Sequence, residues 1–93
     1  MTTFDFQDGD GPVPAHKHPN GGGWVADTAH VDETAYIGLN AQVSGEAWVS
    51  GKAQVSGKAR VSDEARVSGE AQVYGEALVS GNAWVSGKVR VYV

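Results

Sequence analysis

An all-β solenoid is the fold class this chain predicts, and three observations predict it. From Gly23 onward a six-residue phrase recurs twelve times, most plainly as Ala-x-Val-Ser-Gly-x. The third position of every copy is β-branched and apolar: Val25, Val31, Ile37, Val43, Val49, Val55, Val61, Val67, Val73, Val79, Val85 and Val91. The first position is alanine in ten consecutive copies, Ala29 through Ala83, with Gly23 before them and Val89 after. An unbroken short period is the mark of a repeat architecture, in which each unit buries its apolar face only against its neighbours.

Residue chemistry decides between strand and helix within each hexad. Positions one and three lie two residues apart, which puts both on one face of a strand. On a helix an i, i+2, i+6, i+8 set would scatter around the circumference. Valine's stiff χ1 favours strands, and a glycine in most hexads would cost a helix about 1 kcal/mol each time. The Ser-Gly pair is a turn signal, because glycine takes positive φ at a corner without steric cost. Each hexad is thus a short strand followed by a bend, and such strands bury their Ala/Val face by winding around a common axis.

This pattern of an aliphatic residue, a small residue two before it, and Gly, Asp or Asn near the bend resembles the hexapeptide-repeat, or left-handed parallel β-helix, superfamily. The resemblance covers residues 23–93. It implies three hexads per coil, hence a triangular prism with 18-residue turns, and it implies left-handedness against the usual right-handed crossover. Twelve hexads then make about four coils. With strands about 4.8 Å apart the prism is about 19 Å tall. The interior would hold only the β-branched residues and alanines, with no ligand cavity.

Residues 1–22 break the repeat and are expected to cap the first coil of the 23–93 β-helix. Phe4 and Phe6 are spaced to face one way on a strand, and the Asp/Gly turns and the segment with Pro12 and Pro14 read as connections. Solenoid ends expose unpaired backbone and core side chains, so a cap is needed. The far end, Val89-Arg90-Val91-Tyr92-Val93, finishes mid-hexad as an apolar strand. It is expected to support self-association through this end, through a prism face, or both. The family resemblance favours a homotrimer.

An 18-residue coil stacks outward side chains in columns. The second hexad position gives Trp24, Gln42, Arg60, Leu78 on one face, His30, Trp48, Arg66, Trp84 on the next, and Tyr36, Gln54, Gln72, Arg90 on the third. Arg66 would sit between Trp48 and Trp84 at a spacing that suits cation–π contact. Tryptophan and arginine anchor interfaces, and the same column also reads as a cross-strand ladder supporting the sheet. A protein or carbohydrate partner, if any, is expected on this face. The interface candidates are therefore Trp48, Arg66, Trp84, Val89, Val91, Tyr92 and Val93. Position six carries charge. Thr34, Lys52, Glu70, Lys88 line one edge and Asn40, Lys58, Glu76 another, alternating in sign. Thr28, Glu46, Glu64, Asn82 line the third, a solvated stripe rather than a catalytic pair, which would need burial or a cleft.

Composition removes several function classes. The net charge of −4 offers no basic field for nucleic acid. No cysteine is present, so neither disulfides nor thiolate zinc sites arise. Met1-Thr-Thr-Phe-Asp-Phe does not read as a secretory signal, and no apolar run suits a membrane span. A cytoplasmic or virion-associated protein is expected. The superfamily's acyltransferases are similar in their hexads, but the resemblance implies a catalytic histidine and a loop over the donor, and residues 23–93 carry no insertion. His30 reads as a surface residue. The γ-class carbonic anhydrases, also similar, hold zinc between prisms with histidines. Zinc needs three protein ligands, and the best pair here is His16-x-His18, which would project both imidazoles one way if extended. In a trimer such pairs resemble the iron sites of some phage fibre and spike proteins. No other cofactor is expected. The sequence is thus read as a non-catalytic structural or interaction module, rigid and self-associating, possible in a phage-related setting. The alternative is a minimal acyltransferase-like or γ-carbonic-anhydrase-like enzyme with its site between subunits.

Overall fold

The computed structural model describes residues 2–6 and 11–92; Val93 and the Asp/Gly turn at residues 8–10 lie outside them. Among the described residues the chain is all strand, turn and bend, without helix. Twelve short parallel strands wind in four coils of three, forming a three-sided parallel β-solenoid. The elements outside the repeat are β1 (Thr3–Asp5) and β2 (Pro12–Lys17). The first face holds β3 (Trp24–Ala26), β6 (Gln42–Val43), β9 (Arg60–Val61) and β12 (Leu78–Val79). The second holds β4 (His30–Val31), β7 (Trp48–Val49), β10 (Arg66–Val67) and β13 (Trp84–Val85). The third holds β5 (Tyr36–Ile37), β8 (Gln54–Val55), β11 (Gln72–Tyr74) and β14 (Arg90–Tyr92).

The register is 18 residues throughout. Trp24 pairs with Gln42, Trp48 with Arg66, and Gln54 with Gln72. The hydrogen bonds repeat as the amide of residue i to the carbonyl of i+17, as in Arg60 to Ala77 and Gln54 to Ala71, both 2.9 Å. Parallel pairing of coils satisfies the backbone that a short strand alone leaves open. Inside, Val25, Ile37, Val43, Val49, Val55, Val61, Val67 and Val73 are fully buried, with Ala35 through Ala77 between them.

Corners explain the glycines. Gly45 has φ +65°, and a β-carbon there would lie 2.9 Å from the Asp63 amide nitrogen one coil on. Asp63 holds the equivalent corner of the next coil with φ 59°, a conformation Asp tolerates better than most residues. Its carboxylate accepts the Gly81 amide of the following coil at 3.1 Å. Asp32 does the same for Gly51 at 3.0 Å.

The region before the repeat departs from expectation. The proline-containing segment is a strand, β2, rather than a connecting loop. It pairs antiparallel with β1 on one side and with β3 on the other, extending the first face by a hairpin. Pro12 and Pro14 fall in the part of β2 that lies opposite β1, whereas residues 15–17 carry the pairing with β3, so the ladder to β3 does not draw on their missing amides. Phe4 and Phe6 do point one way, but onto the outer surface of this sheet rather than across the prism axis. There Phe4 stacks on Trp24 with centroids 4.7 Å apart, Phe6 is buried, and Ala15, Ala26 and Val13 complete a second apolar cluster.

Residues 18–23 cover the axis instead. The Ile37 amide donates to Asn20 O at 3.0 Å, and the Gly23 amide donates to Ile37 O at 2.9 Å, making a partial rung beneath the third face. This close approach explains why the first hexad begins with glycine. A β-carbon at Gly23 would lie 2.3 Å from Ile37 Cγ2 and 2.4 Å from Gly38 O.

The opposite end also departs from expectation. Val85 and Val91 are only partly buried, and Ala83 and Val89 are exposed. Not every interior position of the repeat is therefore enclosed. No helix of the described residues is long and apolar enough to cross a membrane.

Candidate interaction surfaces

The second face assembles its column in the order the period requires. His30 and Trp48 have centroids 4.6 Å apart. The Arg66 guanidinium carbon lies 5.8 Å from the Trp48 ring centre and 5.3 Å from that of Trp84. Flat groups stacked along the axis, one per rung, thus form a continuous ladder. Trp48 has a neighbour on each side, so its ring edge faces outward, whereas Trp84 closes the ladder and is 69% exposed.

Beside the ladder, Thr28, Glu46, Glu64 and Asn82 form the opposite wall of an open groove of about 490 Å³. Glu46 and Glu64 are both exposed, in keeping with a solvated stripe. A second groove, on the third face, is lined by Lys52, Gln54, Glu70, Gln72, Lys88 and Arg90. In the alternating-sign edge the Lys88 ammonium is 3.9 Å from Glu70. That pair is exposed and contributes under about 1 kcal/mol.

His16 and His18 are placed apart in their bonding. His16 Nδ1 lies 2.7 Å from Asp27 Oδ1 on the surface. His18 is buried, and its Nε2 donates to Ala35 O at 2.9 Å, an acceptor it shares with the Asn20 side-chain amide at 3.2 Å. Each imidazole is therefore engaged with the first coil, which ties the partial rung to the solenoid. No group of three or more His, Cys, Asp or Glu among the described residues could hold a metal ion.

The last coil brings together Val89, Val91 and Tyr92, as the sequence grouped them. Val89 is 48% and Tyr92 62% exposed. Leu78, at the end of the first-face column, is 62% exposed. One pair escaped the sequence reading. Tyr74 and Tyr92 stack at 5.0 Å and 11°. The signal was present, since both occupy the fourth hexad position and are separated by one full coil.

A family model described as YdcK Beta solenoid repeat matches residues 41–57 and 71–87. Each of these stretches contains one strand from every face, so the similarity is to a repeat of about one coil. No curated protein and no solved structure matches the chain.

Proposed function

We propose that this protein is a non-catalytic structural module, a rigid β-solenoid that works by associating with itself. The carrying observation is where its large apolar side chains are left in water. Trp84, Leu78, Tyr92 and Val89 are exposed in the fourth coil and Trp48 lies further along the second face, while Leu39 and Tyr36 are exposed in the first coil. Exposed apolar groups gathered in this way mark interaction surfaces. Valine and alanine methyl groups fill the interior, so the described grooves are shallow and external.

The resemblance in the hexads adds finer features to this reading: a left-handed winding, a trimer of prisms packed side by side through the Trp48, Arg66 and Trp84 face, and a setting in an assembled particle such as a phage virion. Sedimentation of the purified chain, with metal analysis, tests the proposal. Assemblies of two or more copies without stoichiometric metal are expected. A protein that stays monomeric at all accessible concentrations would refute it.

A further inference from the structure

We propose that Asn20-Gly21 is a deamidation site, held in check while the partial rung of residues 18–23 is seated on the first coil, and that its reaction releases this rung irreversibly. The site is separate from the surfaces assigned to self-association.

Close approach to the first coil dictates both residues. The Asn20 side-chain amide donates to Ala35 O at 3.2 Å, and the Asn20 carbonyl accepts the Ile37 amide at 3.0 Å. Gly21 has φ +110°, and a β-carbon there would lie 2.2 Å from Ile37 O. The rung therefore needs a side-chain donor at position 20 and a residue without a side chain at position 21. That same pair is chemically labile. An asparagine amide is open to attack by the nitrogen of the following residue, and glycine places no side chain in the way.

The chemistry balances with water as the only co-reactant. The Gly21 nitrogen loses its proton to hydroxide and forms a bond to Asn20 Cγ. The Cγ–Nδ2 bond breaks, ammonia leaves, and a cyclic imide remains. Water then opens the ring. Opening at Cγ gives aspartate, and opening at the main-chain carbonyl carbon gives isoaspartate, which routes the backbone through the side chain.

The seated rung separates the reacting groups. Asn20 is exposed to water, and the Gly21 amide has no backbone partner among the described residues, so nucleophile and water are both at hand. The electrophile is not free. Its amide is held on Ala35 O and its carbonyl on the Ile37 amide, whereas ring closure needs Cγ turned onto the Gly21 nitrogen. Orientation governs the rate of such an intramolecular attack. The reaction thus passes through a local opening of residues 18–23.

Neither product restores the latch. A carboxylate has no hydrogen to donate, and it would face the Ala35 carbonyl, itself an acceptor already engaged by His18 Nε2 at 2.9 Å. Isoaspartate also lengthens the chain beside Gly21, where Ile37 leaves no space. With ammonia lost, the rung stays unseated and the Ile37 amide and carbonyl face water.

Peptide mass mapping of the full chain, held at mildly alkaline pH either folded or in urea, tests the site. Asn40 and Asn82 are each followed by alanine and serve as internal standards. Asn20 should convert to acid about tenfold or more faster in urea than in the folded chain, and faster in urea than either standard. Asn20→Asp, the direct product, should lower Tm and speed hydrogen exchange at the Gly22, Gly23 and Ile37 amides. Equal conversion of Asn20 in the folded chain and in urea would overturn the latch. An Asn20→Asp chain with unchanged Tm and exchange would overturn the release.

Discussion

Ala35 and Ala83 occupy the same position of the same repeat, yet the first is completely buried and the second is exposed. Ile37 and Val85, two residues further on in each case, differ in the same direction. Nothing in the hexads themselves separates these pairs. Near the amino end a partial rung, a buried histidine and an antiparallel hairpin lie against the first coil. At the other end no described residue lies over the fourth. In a quasi-one-dimensional fold each unit draws its burial from its neighbours, so the same side chain is core in one coil and surface in another.

Substitutions that force the two ends to behave alike should have the largest effects. Gly23→Val inserts a side chain where even a β-carbon would overlap Ile37 and Gly38. It should cost about 4 kcal/mol or more, read as loss of the cooperative thermal transition. Phe6→Ala removes the buried ring of the hairpin cluster and should cost about 3 kcal/mol. A fall in Tm of more than about 10 °C would accompany it.

The comparison sharpens with one substitution made twice. Val55→Ala, in a fully buried position, should cost about 2 kcal/mol from lost transfer energy and the cavity left behind. Val91→Ala, in the open coil, should cost less than about 0.5 kcal/mol when measured on monomeric protein. Equal losses at the two sites would mean that the fourth coil is enclosed in solution. Between these two, Arg66→Ala removes two cation–π contacts and should cost about 1 kcal/mol in urea denaturation.

Much of this architecture was legible because the period of the side chains is the period of the fold. The assignment of Val43 to the interior and Trp48 to the exterior follows from alternation alone. The grouping of Trp48, Arg66 and Trp84 on one face needs only the 18-residue coil that the family resemblance implied. Tyr74 and Tyr92 could have been paired by the same arithmetic. The amino-terminal region had no period to read. Pro12 and Pro14 argued for a connection, but they fall in the part of β2 opposite β1, and residues 15–17 carry the pairing with β3. His16 and His18 share an x-His spacing that suits a common ligand. Tertiary structure gave each a separate partner, Asp27 for one and the Ala35 carbonyl for the other.

The sequence by itself determined the strand-and-corner unit and its inward and outward faces, because those depend on local stereochemistry and on alternation along one chain. Tertiary structure decided which copies of the repeat are buried, where Phe4 and Phe6 rest, and why Gly23 stands where alanine follows. These depend on which segment lies across a given coil, and contacts between residues distant in sequence leave no periodic trace along it.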